Sequence, residues 1–135
     1  MDFVLKDGEQ VRTKIAQKSS STVIEAGDLV GIASGLIIKA TDSSTELAWC
    51  PNGAAAGVTD VEVTIGNDFT LKGTADANFA VTDRAAEVDL VVTNNVQLID
   101  LGTSTNDVLK VGISADSGTV GSTADVEVRI NKPIF

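Results

Sequence analysis

The sequence predicts an all-β fold, a small single-domain barrel or sandwich of short strands with at most one short helix. Short apolar runs rich in Val and Ile recur along the chain, and clusters of Gly, Ser, Thr, Asn and Asp separate them. No long segment shows the hydrophobic period of an amphipathic helix. Only 4% of the residues are aromatic, so aliphatic residues must build the core, and a length of 135 residues suits one domain.

The first twenty residues are predicted to form an extended N-terminal arm (1–20) that leads to the β domain (21–135). They hold four basic and three acidic residues, a net charge of +1, while the remainder of the chain carries −10. Their apolar residues are widely spaced, and the serines at 19–21 resemble a linker. The residues leave an alternative open, namely an ordinary first strand through Val11 and Ile15 that packs on its own domain.

From residue 22 onward, apolar runs and turn signals alternate at the spacing of a small sandwich or barrel. Ser34-Gly35 and Gly66-Asn67 suit tight hairpin connections. Helical material occurs only at 82–87, where Thr82 or Asp83 is a candidate cap for a short helix. The predicted strands are TVIE, DLVGIA, GLIIKA, TELAW, VTDVEVTI, DFTLKG, NFAV, VDLVV, VQLIDL, VLKVGIS and DVEVRI.

Two segments, DVEVTI at 60–65 and DVEVRI at 125–130, are nearly identical. In the second, Val126, Val128 and Ile130 alternate with Glu127 and Arg129, which is the period of a half-buried strand. When the chain is superposed on itself at the offset that aligns them, the flanking residues disagree. The twin segments therefore share a strand pattern and do not indicate an internal repeat.

The net charge of −9 argues against a nucleic-acid partner, because an acidic surface repels polyphosphate. Solubility is the simplest role for this acidity. The most apolar run, LVGIASGLII at 29–38, is too short to cross a bilayer and is interrupted by glycines, and no secretory signal is visible at the N-terminus. We therefore expect a soluble protein without a membrane partner.

The missing residue types argue against catalysis. The chain contains no histidine, which removes Ser-His-Asp triads, Cys-His pairs and histidine metal ligands. Cys50 is the single cysteine, so we expect a small buried hydrophobe at a strand end and no intrachain disulfide. The sequence has neither a phosphate-binding glycine loop nor a calcium-binding loop. Two carboxylates that met across strands could hydrolyse a glycoside, but such enzymes need aromatic platforms and a larger cleft. We predict no enzymatic activity, cofactor or metal.

FVLKDGEQVR at 3–12 and IEAGDLVGIASGLIIKATDSS at 24–44 are two of several stretches that together resemble the capsid decoration (cement) proteins of tailed bacteriophages. The first is similar to the N-terminal Phe-Val-x-x-Asp-Gly signature of that family, and the second to its Ala/Ser-Gly-Asp-x-Val turn and following hairpin. DVEVTIGNDFTLKG at 60–73 matches a Val-rich strand and its successor. The stretch from TNNVQLID to DVEVRI, 93–130, is similar to their closing unit with its Val-Gly-Ile strand. The segment AAEVDLVV at 85–92 departs from the family pattern.

This resemblance implies a β-tulip-like fold and a structural role on the outer surface of the mature virion capsid. It implies a homotrimer, made in the host cytoplasm, whose partner is the major capsid protein. Capsid contacts would come from the arm, through an apolar anchor and basic side chains. The expected contact residues are Phe3, Val4, Leu5, Lys6, Arg12 and Lys14. Two other functions stay open: another virion component such as a tail or fibre module, and a small-ligand-binding β domain.

Overall fold

The computed structural model describes residues 1–6 and 11–135, and these contain eleven strands and one short 3-10 turn. The predicted all-β single domain is confirmed. The strands are β1 (Val4–Leu5), β2 (Thr13–Gln17), β3 (Asp28–Ala33), β4 (Leu36–Lys39), β5 (Ala48–Cys50), β6 (Asp60–Thr64), β7 (Leu71–Gly73), β8 (Glu87–Thr93), β9 (Val96–Asp100), β10 (Leu109–Val111) and β11 (Val126–Ile130). Residues 7–10, part of the FVLKDGEQVR stretch and of the predicted arm, lie outside the described residues.

The strands form three antiparallel sheets. Their orders are β1-β7-β11-β10-β8-β9, β4-β3-β5 and β2-β6. The three-stranded sheet is shared between two cores. Leu29 and Trp49 pack in the first core, with the six-stranded sheet, whereas Val30 and Cys50 pack in the second, with β6. Because β5 and the first part of β3 are buried on both faces, these segments lack the polar alternation of a half-buried strand.

One predicted hairpin is confirmed and the other is wrong. Ser34-Gly35 forms a two-residue turn between β3 and β4, and both residues have the positive φ that a type I′ turn requires. Gly66-Asn67 joins two strands that do not pair with each other, because β6 pairs with β2 while β7 pairs with β1 and β11. A second tight hairpin lies at Asn94-Asn95, with φ of 50° and 66°, between β8 and β9. Asparagine tolerates this conformation, so TNN is the turn signal that marks it.

The helix predicted at 82–87 is wrong in its extent. The structure has a 3-10 turn at Val81–Asp83 instead. The Asp83 carboxylate accepts a hydrogen bond from the backbone N–H of Ala80 at 2.8 Å, so it caps the turn from within it rather than preceding it. β8 then begins at Glu87, inside the predicted helix.

Two of the predicted strands are also absent from the structure. In TVIE, Ile24 forms only an isolated bridge with Ala54, and in NFAV the buried Phe79 packs into the first core from a loop. Cys50 is fully buried at the end of β5, as the sequence predicts.

The N-terminal residues are integrated in the sheets. β1 pairs with β7, and β2 pairs with β6 through five residue pairs. Phe3 is fully buried, its backbone N–H donates to the Gly27 carbonyl at 3.1 Å, and its ring occupies the space that a side chain on Gly73 would need. Phe3 is therefore a core residue of this chain and not the exposed anchor expected of it. The pairing of β2 favours the alternative of an integral first strand.

Candidate functional site

β2 is an exposed edge strand. Four of its five residues are exposed, and its pairing partner is β6 on one side. The β-branched Thr13 and Ile15 favour extended backbone, and Ala16 packs against the second core, which fixes the strand on the domain. The strand is thus held in place by few side chains while most of its surface faces solvent.

The outer edge of β2 carries backbone groups that no described residue pairs with. The backbone carbonyl of Arg12 accepts a hydrogen bond from Ile65 N–H at 2.8 Å. With the register of the two strands, this means that the backbone N–H and C=O groups of the even-numbered residues of β2 point toward β6. The N–H and C=O groups of Thr13 and Ile15 therefore point away from β6. No described residue forms a backbone hydrogen bond with them. Such an edge is a template for an added strand.

A buried lysine closes this edge at its C-terminal end. Lys18 is 1% exposed, and its Nζ donates to the carbonyl oxygens of Ser19, at 2.8 Å, and Thr22. Lys18 also forms a bridge with Ile37 of β4. The open part of the edge is therefore limited to residues 13–15.

The side chains beside the open edge are apolar and basic. Ile15 is 61% exposed and lies opposite Glu62 of β6. Lys14 places its Nζ 4.5 Å from the centre of the Phe135 ring. Arg12 is exposed, and neither it nor Lys14 forms an ion pair within the described part of the chain. Two predicted contact residues, Arg12 and Lys14, thus lie together at this edge.

The other predicted contact residues lie on β1 and next to it, in the six-stranded sheet. Val4 is 38% exposed, whereas Leu5 is half-buried and packs against the first core. Lys6 is engaged within the chain: it forms salt bridges with Glu127 and, at 2.9 Å, with Asp116. Hydrogen bonds to these carboxylates, chiefly to Glu127, raise the pKa of Lys6 well above its ordinary value. A capsid contact through Lys6 would therefore compete with these two salt bridges.

A pocket that the sequence did not predict opens on the outer face of the six-stranded sheet. Its volume is about 510 Å³. It is lined by Ala85, Lys110, Val111, Gly112, Ile113, Ser114, Glu127 and Arg129. Lys110 and Arg129 occupy the outward positions of LKV and VEVRI, so the period-two pattern places both on one face. The return of the chain at Ala85, which completes the pocket, has no comparable sequence signal.

Two buried residues of the three-stranded sheet, one on β3 and one on β5, have side chains with raised pKa values. Burial raises the pKa of Asp28, whose carboxylate accepts a hydrogen bond from Glu25 N–H at 2.8 Å and lies 3.4 Å from Lys39 Nζ. Burial also raises the pKa of the Cys50 thiol, which disfavours the nucleophilic thiolate. Within residues 1–6 and 11–135, no group of three or more carboxylate or thiol side chains could hold a metal ion.

The same described residues include no helix that is long and apolar enough to cross a membrane. No protein-family model, no curated protein and no solved structure matches the chain. The open edge of β2 and the pocket on the six-stranded sheet are the two surfaces from which its function can be argued.

Proposed function

We propose that this chain is a structural virion protein that binds the outer surface of a mature phage capsid and stabilises it. The observation that supports this most is the open edge of β2, where Thr13 and Ile15 present backbone groups that nothing in residues 1–6 and 11–135 pairs with, beside exposed apolar and basic side chains. A protein that acts by attachment needs such a surface. The resemblance of the sequence to capsid decoration proteins names the partner, the major capsid protein.

Attachment would proceed by strand addition, in which an extended segment of the capsid subunit pairs with β2. Each backbone hydrogen bond contributes about 0.5–1.5 kcal/mol net, and burial of a side chain such as Ile15 contributes about 1.5–3 kcal/mol. Arg12 and Lys14 would contribute mainly to the rate and orientation of encounter with an acidic partner surface. A single contact of this size gives only modest affinity, so stable attachment requires several such contacts on the capsid lattice.

Multivalency supplies the additional affinity if the chain acts as a homotrimer. Three β2 edges on one particle turn the second and third contacts into intramolecular events, which raises the overall affinity without any new contact. A three-fold particle also matches three-fold positions of a capsid lattice. The trimer is part of the proposal and follows from the sequence resemblance together with this arithmetic.

The test is co-sedimentation of purified protein with undecorated mature capsids. Thr13→Pro removes one outward N–H of the open edge and leaves the hydrogen bonds between β2 and β6 intact, so it should weaken binding clearly with little change in thermal stability. Thr13→Val is the matched control, because it removes the hydroxyl and keeps the N–H. We expect it to bind as the wild type does, with bound protein present in multiples of three per capsid site.

Two results would overturn the proposal. The strand-addition mechanism fails if Thr13→Pro binds as tightly as Thr13→Val. The capsid role itself fails if the wild-type protein does not sediment with capsids, or if it fractionates with tails after disruption of virions.

A further inference from the structure

Asn52-Gly53 is the single Asn-Gly dipeptide of the chain, although the sequence contains seven asparagines. The side-chain carbonyl carbon of an asparagine can be attacked by the backbone nitrogen of the residue that follows it. A side chain on that following residue hinders the attack, whereas glycine leaves the approach open. Asn52 is therefore the asparagine whose sequence context most favours conversion to aspartate.

The side chain of Asn52 lies where water reaches it. The residue is exposed in the loop that follows β5, and its Nδ2 donates a hydrogen bond to Glu62 Oε1 of β6 at 3.2 Å. An amide can donate to a carboxylate in this way, but an aspartate at the same position has no proton to donate when it is ionised. Conversion of Asn52 would thus replace the hydrogen bond to Glu62 by repulsion between like charges.

The nitrogen that would attack, that of Gly53, is held by the fold. Gly53 has a φ of +72°, and a Cβ atom at this position would lie 2.7 Å from the carbonyl oxygen of Ile24. The Gly53 N–H donates to the sulfur of the buried Cys50. Ala54, the next residue, exchanges two backbone hydrogen bonds with Ile24, of 2.7 and 2.9 Å. The Gly53 nitrogen can therefore reach the side chain of Asn52 only when this turn opens.

We propose that Asn52 is a site of spontaneous deamidation, that opening of the turn at Gly53 permits the reaction, and that the product disfavours closing of the turn. In the open turn, the Gly53 nitrogen forms a bond to Asn52 Cγ. The Cγ–Nδ2 bond breaks, and ammonia leaves with the proton that the Gly53 nitrogen loses. Water then opens the resulting succinimide ring, which yields aspartate or isoaspartate at position 52.

Both products disfavour the closed turn. Aspartate at position 52 repels Glu62, to which the asparagine donated a hydrogen bond. Isoaspartate adds a methylene group to the backbone, and the close approach of Gly53 to Ile24 leaves no space for it. Because opening permits the reaction and the reaction favours opening, the turn acts as a one-way latch. The latch is independent of the proposed capsid role, and either can fail alone.

The first experiment is peptide mass spectrometry of the full chain after incubation at mildly alkaline pH, folded and, in parallel, in concentrated urea. We expect Asn52 to be modified before any other asparagine of the folded chain. Urea should raise its rate about tenfold or more, because the turn no longer has to open. Asn52→Gln is the matched control: it keeps the carboxamide but requires a larger ring, so position 52 should stay unmodified. Equal rates in both samples, or a folded chain unmodified at Asn52 when the urea sample is fully converted, would overturn the proposal.

The second experiment is amide hydrogen exchange, which measures opening of the turn directly. Asn52→Asp should accelerate exchange of the Ala54 amide, which donates to Ile24 O, about two- to fivefold. The Val111 amide of the six-stranded sheet is the internal control and should exchange as in the wild type. Adding Glu62→Gln should restore the Ala54 rate, because it removes the repelling charge. Unchanged Ala54 exchange in Asn52→Asp, or acceleration that persists in the double variant, would overturn the latch.

Discussion

The twin segments become two very different strands. β11 lies inside the six-stranded sheet between β7 and β10, whereas β6 lies in the two-stranded sheet with β2. Glu127 of β11 is 8% exposed and ion-paired with Lys6, whereas its counterpart Glu62 is half-buried and accepts a 3.2 Å hydrogen bond from Asn52. The same local pattern makes a strand in both places. The neighbours that each strand acquires decide how deeply it is buried and what its polar residues do.

The largest expected difference lies in the strands next to the twins. β7, the neighbour of β11, holds Phe3 against Gly73, so Phe3→Ala opens a cavity in the first core and should cost about 3–5 kcal/mol of the free energy of unfolding. Ile15→Ala on β2, the neighbour of β6, truncates a side chain that is 61% exposed and should change stability by less than about 0.5 kcal/mol. Urea denaturation of both variants measures the two costs.

Similar costs for the two variants would mean that β2 is held as tightly as β1. The comparison between twins would then rest on sheet order alone. Capsid binding by Phe3→Ala is informative only at temperatures where the variant is folded, because Phe3 acts through the core and not through an exposed surface.

The second prediction concerns the position at which the twin sequences differ. Where β11 has the exposed Arg129, β6 has Thr64, which is 1% exposed and whose Oγ1 accepts a hydrogen bond from Trp49 N–H at 2.8 Å. Thr64→Val keeps the shape of the side chain and leaves a buried N–H unsatisfied. It should lower stability by about 1–3 kcal/mol.

Thr13→Val is the control for this substitution, because Thr13 is the exposed cross-strand partner of Thr64. It should be nearly neutral in the same urea titration. If Thr64→Val were equally neutral, the Trp49 N–H would have another acceptor, and the tie between β5 and β6 would need another explanation.

The sequence predicted the strands well because period-two alternation and turn residues are local signals. Strands form in the predicted segments DLVGIA, VQLIDL and DVEVRI. Ser34-Gly35 forms the predicted tight hairpin turn. Pairing was less predictable, because it depends on contacts between distant residues. Gly66-Asn67 looks like a hairpin turn, yet β7 satisfies its backbone on β1 and β11.

In the candidate sites, too, features that depend on local sequence were predictable and features that depend on distant residues were not. Arg12 and Lys14 could be predicted as exposed basic residues because the charge of a segment can be read directly from the sequence. The burial of Phe3 in the first core and the pairing of Lys6 with two carboxylates could not be predicted, because both depend on residues that are distant in the sequence. The pocket combines residues from 85, 110–114 and 127–129, and no local pattern unites these ranges.

The smallest expected effect is the pH dependence of the ion pair that only β11 possesses. Because its carboxylate partners raise the pKa of Lys6 above the ordinary 10.5, the pair should stabilise the fold fully below that pH and lose this contribution as the pH rises through the folded-state value. Both side chains retain some exposure, 14% for Lys6 and 11% for Glu127, so solvent screening limits the contribution to about 1 kcal/mol. The stability difference between the wild type and Lys6→Gln should therefore be constant from about pH 7 to about pH 9.5 and shrink above about pH 10.5.

Lys14→Gln supplies the matched control on the side of the other twin. Lys14 lies over the Phe135 ring without a carboxylate partner in the described residues, so its substitution should have only a small effect on stability. At acid pH the relevant group is a carboxylate of the same ion-pair cluster, and its pKa shift has the opposite direction to that of Lys6. Hydrogen bonding to Lys6 lowers the pKa of Asp116, so that contribution is present above the ordinary 3.8 and is lost as the pH falls below it. Urea titrations from acid to alkaline pH would thus show a stability difference between the wild type and Lys6→Gln that is constant near neutral pH and decreases toward both extremes. A Lys6→Gln difference that persisted unchanged in strong alkali would show that the side chain acts by packing its methylenes beside β11 and not by its charge, which would remove the electrostatic part of the contrast between the twins.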